Sequence, residues 1–305
     1  MEIEFCLVDA KTEKFVDSSV FCNTTTLNDQ EAFLSDLCDQ LQQQYIPIEL
    51  IHSESGPGQL EVVLQYSKDP VALADNLLLA KETIGAVARQ YGYKALFIPK
   101  YDLMKAGNGM HVHMSFRDAT TGTPIFCEGS SLSKKGSAFV EGILKHLPAI
   151  LGTTMPTVNS YRRVGPGLWT GSKVGWALED KETGIRVCSN LATNEWDNVE
   201  CKFCDASCNL YLGLAALLSS GLDGISKEMT LRPSLSEAED DSTITATPLP
   251  ASLVEALDAL EQDSYMVNLL GPRLSKAYLA LRRHEAQRSP EMTLEDEVKE
   301  ALARS

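Results

Sequence analysis

Four short segments of this chain alternate apolar and polar residues with the period of two that a β-strand demands, and each places acids or imidazoles on its polar side. Glu2 and Glu4 stand opposite Ile3, Phe5 and Leu7, and Glu61 stands opposite Leu60, Val62 and Leu64. His111, His113 and Ser115 oppose Met110, Val112, Met114 and Phe116, while Glu200 and Lys202 oppose Val199, Cys201 and Phe203. Taken singly, each pattern is ordinary: Glu-x-Glu suits a solvated strand face, and His-x-His is usually a hydrogen-bonded pair. Their convergence constrains more. Clustered carboxylates repel and raise one another's pKa, so such a set stays ionised only where cations hold it together. Oxygen donors with one imidazole suit a hard divalent ion, Mg²⁺ or Mn²⁺, rather than zinc.

Around these strands the chain reads as interleaved helices. Residues 28–45 carry an apolar stripe, Phe33, Leu34, Leu37 and Leu41, behind an Asn28/Glu31 capping box. Asp69 caps a long helix with Pro70 at its first position and Gly92 just past its end. Further strands are predicted at 94–99, 110–116 and 199–204, and further helices at 137–151 and 206–229. Ser252 and Glu255 open a last helix that Gly271-Pro272 interrupts. The stretch 234–250, acidic at Glu237, Glu239, Asp240 and Asp241, reads as a surface loop. With no Gly-rich phosphate loop and no steady βαβ rhythm, the pattern predicts an α+β fold: a curved antiparallel sheet flanked by helices.

With 305 residues, 44% hydrophobic, the chain can bury a substantial core. A net charge of -15 repels phosphate backbones and anionic lipid, which argues against nucleic-acid or membrane partners. No apolar run approaches the roughly 20 residues that span a bilayer, and no signal segment opens the chain, so a cytoplasmic protein with reduced thiols is expected. Cys201-x-x-Cys204-x-x-x-Cys208 resembles half of a zinc or iron–sulfur site. On a strand, however, Cys201 and Cys204 face opposite sides, and no second pair completes the ligand set.

These residues resemble the glutamine synthetase family, and specifically its catalytic domain. The resemblance runs in order through Glu2-Ile3-Glu4-Phe5, Glu54-Ser55-Gly56-Pro57-Gly58-Gln59-Leu60-Glu61, Gly107-Asn108-Gly109-Met110-His111-Val112-His113-Met114-Ser115, Asn159-Ser160-Tyr161-Arg162-Arg163 with Pro166-Gly167, Ile185-Arg186, Glu200-Cys201-Lys202, and Asn209-Leu210-Tyr211-Leu212-Gly213. It implies a catalytic domain over 1–285, a tail over 286–305, and the shared fold class of glutamine synthetases and guanidino kinases. It also implies ATP as co-substrate and two divalent ions, one on Glu4, Glu54 and Glu61 and the other on Glu2, His111 and Glu200. Tyr66 would meet adenine, and His113, Ser115 and Arg186 the nucleotide and its phosphates. Lys181 would stand where an arginine is usual, and Gly107, Arg163 and Lys202 would bind the amino-acid substrate.

Four departures qualify the resemblance. The family's small N-terminal β-grasp domain, with its aspartate, does not precede the first strand, so reduced self-association is expected. Ala106 replaces an asparagine, Lys202 an arginine, and Trp169 the flap glutamate that deprotonates ammonium. The lysine and tryptophan are similar to those of the glutamine-synthetase-like branch of fungi and nodulin-fused plant proteins. Three readings stay open: a γ-glutamyl–amine ligase, a weakly active or inactive binding or regulatory relative, and a phosphagen-kinase-like phosphotransferase.

Overall fold

The computed structural model describes residues 1–18, 21–240, 247–288 and 292–305. They form two compact units, Met1–Met110 with Asp205–Tyr211 and Arg288–Ser305, and His111–Cys204 with Leu212–Gln287.

The first unit opens with β1 (Glu2–Asp9), α1 (Thr24–Asp29), α2 (Glu31–Gln43), β2 (Ile48–Ser53), β3 (Gln59–Leu64), α3 (Pro70–Gln90) and β4 (Tyr93–Leu96). Its strands make an antiparallel sheet in the order β2-β3-β1-β4. α3 starts where the sequence says it should, because the Asp69 carboxylate accepts from the Val71 and Ala72 N–H groups ahead of Pro70. Gly92, with φ 76°, follows its end. Residues 28–45 are not one helix. The Asn23 side chain accepts from Thr25 N and starts α1 early, Gln30 breaks the helix, and no side chain caps α2, so the Asn28/Glu31 box does not form. Phe33, Leu37 and Leu41 are buried as the stripe requires, whereas Leu34 is only half-buried.

The second unit contains β5 (Val112–Met114), α4 (Lys134–Thr154), α5 (Val158–Arg163), β6 (Lys173–Val174), β7 (Trp176–Leu178), β8 (Ile185–Ser189), β9 (Trp196–Cys201), all but the first two residues of α6 (Leu210–Ser226), α7 (Leu235–Asp240), β10 (Thr247–Pro248), α8 (Leu253–Gln262) and all but the last residue of α9 (Ser264–Arg288). Its main sheet runs β5-β9-β8-β7, and β7–β8 is a parallel pair in an otherwise antiparallel arrangement. α4 and α6 cross so closely that a Cβ on Gly224 would lie 1.9 Å from the Ala138 carbonyl oxygen. Several predicted strands are shorter than their alternation: β4 ends at Leu96, β5 covers only Val112–Met114, and Lys202 lies past the end of β9. The stretch 234–250 holds α7 and β10, whose Thr247 pairs with Val174 on β6; Asp241 lies outside the described residues. Ser252 caps α8, but the Glu255 carboxylate reaches Ala251 N, one residue earlier than a capping box requires. Gly271, with φ 74°, interrupts α9 at the expected place.

The last segment is ordered as α10 (Leu294–Arg304), opened by a Thr293/Asp296 capping box. In the first unit Leu302 joins an apolar cluster with Cys6, Val8, Leu96 and Tyr101. Among the described residues no helix is long and apolar enough to cross a membrane.

Candidate functional site

In the first unit, β1 and β3 pair so that Glu4 lies directly across from Glu61. Both acids are buried, at 6% and 5% exposure, although the alternation alone would leave their face solvated. Like charges directly opposite on neighbouring strands are destabilising. Two devices hold them. Glu4 Oε2 accepts from Gln59 Nε2 at 3.0 Å and from Gly109 N at 2.8 Å. Glu61 Oε1 lies 3.1 Å from His52 Nε2, while His52 Nδ1 sits 3.0 Å from the Ser53 carbonyl oxygen. The hydrogen bond to Glu61 raises the His52 pKa to about 9 against the opposing effect of burial. Burial, then the Glu61 charge, raises Glu54. His52, Glu54 and Glu61 offer ligand atoms within 4.8 Å of one another, a set fit for one divalent ion. Glu2 is half-buried on β1 across from Val63. Tyr66 is 85% exposed just beyond β3.

His52 and Gln59 carry no signal in the alternation. His52 is two residues before Glu54 on β2, directly across from Glu61, a placement only the strand register shows. Gln59 is fully buried, and its amide also donates to the Gly107 carbonyl and to Asn108 Oδ1, each at 3.0 Å. Asn108 in turn donates to the Leu96 and Ile98 carbonyls. One amide thus ties Glu4, the Gly107 backbone and the loop after β2 together.

In the second unit, Glu200 on β9 is 2% exposed. Its carboxylate receives Arg186 Nε from β8 at 2.6 Å and His111 Nδ1 at 3.2 Å, with His113 Nε2 at 3.9 Å. Burial pushes its pKa up, but the His111 hydrogen bond and the charges of His111, His113 and Lys202 outweigh that and bring it to about 2. Asn198 Oδ1 fixes the His113 ring through Nδ1 at 2.8 Å. Ser115 is exposed past the end of β5.

Lys202 is 3% exposed, and its ammonium donates to the Lys181 carbonyl. Burial lowers its pKa while Glu200 raises it. Arg163, implied as a substrate and catalytic contact, is 1% exposed and donates through Nη2 to the Lys202 and Cys204 carbonyls at 2.8 and 3.1 Å. α5 ends at Arg163, and its side chain is held by backbone carbonyls just past the end of β9. Lys181 is exposed, with Nζ 5.0 Å from the centre of the Trp169 ring. The cysteines form no metal group among the described residues. Complete burial pushes the Cys201 thiol up to about 12, so it stays protonated.

The family described as glutamine synthetase, catalytic domain, matches residues 1–300. Type-1 glutamine synthetase 1 of Dictyostelium discoideum is 31% identical over 291 residues, 94% of this chain and 58% of that protein. Gamma-glutamylpolyamine synthetase GlnA3 of Streptomyces coelicolor is 33% identical over 264 residues, 83% of this chain and 56% of that protein. The chain therefore spans less than two thirds of the length of these curated relatives. A crystal structure of a novel glutamine synthase homolog superposes with a TM-score of 0.85 at 28% identity, covering 100% of this chain and 70% of the other.

Proposed function

This chain belongs to the glutamine synthetase family, matching its catalytic domain, and from that premise we propose that it is an ATP- and Mg²⁺- or Mn²⁺-dependent ligase joining the γ-carboxyl of glutamate to ammonia or an organic amine. The observation that carries the reading is Glu4 directly across from Glu61, both buried, with Glu54 near the second. Burying like charges in apposition is costly unless cations are bound between them.

In this reading Glu4, Glu54 and Glu61 hold one ion, and Glu2, His111 and Glu200 the other. When bound, such ions neutralise charge on the transferring phosphoryl oxygens. The side chains of the protein supply the rest. Arg186 spends Nε on Glu200, has Nη1 3.9 Å from Glu179, and turns its terminal nitrogens to phosphate oxygens. His113, oriented by Asn198, and Ser115 meet the nucleotide's phosphates, and the exposed Tyr66 ring stacks against adenine. Gly107 and Lys202 receive the amino acid, and Arg163 acts through the Lys202 backbone it holds. A γ-carboxylate oxygen of glutamate attacks the γ-phosphorus of ATP, and ADP leaves with the bond electrons. The neutral amine nitrogen then attacks the carbonyl carbon of γ-glutamyl phosphate. Phosphate departs and the nitrogen loses a proton, giving the amide. Two points favour an organic amine over ammonium. Trp169 falls where the family's proton-accepting flap glutamate would stand, and a relative of similar identity is a gamma-glutamylpolyamine synthetase.

The test is phosphate release from ATP with glutamate and Mn²⁺, comparing ammonium, hydroxylamine, alkylamines and polyamines. Organic amines are expected to support faster release than ammonium. Mn²⁺ and nucleotide binding without release under any amine would assign the chain to a binding or regulatory role instead.

A further inference from the structure

The loop between α5 and β6 adopts left-handed backbone at alternate positions: Gly167 at φ 72°, Trp169 at φ 55° and Gly171 at φ 76°. Glycine takes that conformation freely, whereas for a bulky side chain it is strained. Strain of this kind persists only where surrounding groups enforce it, and it points to function. Glu182 is the enforcing group. One of its carboxylate oxygens accepts from Gly167 N at 2.9 Å, and the other lies 3.4 Å from Trp169 N. The indole so held is 43% exposed, so its burial does not explain the strain.

What the ring offers instead is its π face, and that face already carries an alkylammonium. Lys181 Nζ sits 5.0 Å from the ring centre. The carbonyl of the same residue accepts the Lys202 ammonium, which links the ring to the lysine assigned to the amino-acid substrate. Lys181 also follows Glu179 and Asp180 and precedes Glu182 in a turn, in which the Glu179 carboxylate accepts from Ser189 and lies 3.9 Å from Arg186 Nη1. Asp180 and Glu182 orient the turn through hydrogen bonds to its own hydroxyl and backbone groups and to the flap.

We propose that Trp169 is the specificity-determining contact for the amine acceptor, and that its face receives the distal ammonium of a diamine or polyamine in place of Lys181. The four-carbon arm of Lys181, ending in an ammonium, is an internal stand-in for such a ligand. The chemistry demands two nitrogens. The attacking nitrogen must be neutral, whereas the ring binds a charged one, and only a molecule with both can satisfy the two sites at once. The proposal rests on the ligase reading for the fate of the attacking nitrogen, but not for binding at the ring.

The experiment is calorimetric titration of the full chain with 1,4-diaminobutane, butylamine and ammonium chloride at constant ionic strength. It is run on the native chain and on Trp169→Leu, Trp169→Phe and Lys181→Met. The diamine is expected to bind more tightly than butylamine. Trp169→Leu should weaken it roughly 2- to 30-fold, the range of a cation–π contact, while Trp169→Phe keeps most of the affinity. Lys181→Met removes the competing ammonium, so it should tighten diamine binding even as phosphate release falls. That opposition is one that loss of fold would not produce. Equal affinity for diamine and butylamine, or diamine affinity indifferent to Trp169→Leu in a folded protein, overturns the proposal. Should that variant not fold, the indole proton shifts of the native chain on diamine titration decide the matter, and unmoved Trp169 resonances count against it. Absence of phosphate release with every amine, alongside Trp169-dependent diamine binding, would defeat the ligase reading and leave the ring site standing.

Discussion

The two units meet the problem of buried carboxylates in opposite ways. The first gathers Glu2, Glu4, Glu54 and Glu61 on or beside β1–β3 and sets a single imidazole, His52, against them. The second sets one carboxylate, Glu200, against Arg186, His111 and His113, with the Lys202 charge also felt there. The pKa directions follow: burial and Glu61 push Glu54 up, while Glu200 is held near 2. A region with excess acid calls for cations from solution, and a region with excess base calls for anions. In the proposed reading the excess acid of the first unit suits metal, and the cations around Glu200, itself assigned with Glu2 and His111 to the other ion, suit phosphate and carboxylate groups of substrates.

The sharpest test of charge balance in the second unit lies away from Glu200. His146 on α4 is 4% exposed, with Nδ1 2.5 Å from Asp263 and Nε2 3.0 Å from Asp223. Lys227 pairs with Asp223 at 2.8 Å, and the Tyr265 ring lies 5.0 Å from the imidazole. Breaking such a buried pair costs about 3–5 kcal/mol, so His146→Leu should lower stability by about that amount in urea melts. Burial works against charging all three groups, yet hydrogen bonds to the aspartates raise His146, and His146 with Lys227 lowers Asp223. A raised imidazole stabilises fully below its ordinary pKa and loses that contribution as pH climbs through the raised value. The depressed aspartates stabilise above the ordinary carboxylate range and lose it as pH falls through theirs. The penalty for His146→Leu should therefore peak between about pH 4 and 6.5. A penalty equal at pH 5 and 9 would mean that the triad is uncharged.

Next in size is the loss of an anion contact. Arg186→Met should lower kcat about 10²- to 10³-fold, as removal of one donor to a developing oxyanion does. It should leave metal-linked stabilisation of the first unit in place. A variant that loses both would show that the division between acid-rich and base-rich regions is wrong. The metal arm is somewhat smaller. Mn²⁺ at 100 times its Kd should stabilise the native chain by about 2.7 kcal/mol. Thermal melts should show that shift disappearing in Glu4→Ala and Glu61→Ala but surviving in Arg186→Met.

Much of this contrast was legible in the alternation of the strands, because a period of two fixes which residues share a face. The α+β class and the Asp69-capped helix followed from equally local chemistry. Local pattern failed where partners distant in the chain decide. His52 matters only because β2 pairs with β3 in one register, and Gln59 only because Gly107 and Asn108 come back to it. The Asn28/Glu31 box had the right spacing, yet Asn23 nucleates α1 five residues upstream. The end of the chain offered no motif, but α10 docks Leu302 among β1 and β4 residues by apolar packing that any similar side chain would satisfy. Arg163 matches a family motif, yet its burial beneath Lys202 depends on how α5 meets β9.

The smallest expected effect concerns the flap, where Lys181 Nζ sits 5.0 Å from the centre of the Trp169 ring. If Trp169 is held in left-handed backbone for binding rather than for stability, removing the side chain should not destabilise the protein. Trp169→Gly relieves about 1–2 kcal/mol of backbone strain. It also gives the unfolded chain more freedom, which offsets about 0.4–1 kcal/mol of that gain. The ring is 43% exposed, so little packing is lost with it. The net expectation in denaturant melts lies between no change and a gain of about 1 kcal/mol, accompanied by weaker diamine binding. A loss above about 1.5 kcal/mol, within the range for burying a large apolar side chain, would recast the indole as a structural plug. The base-rich region would then present only Arg186, Lys202 and the histidines to its ligands.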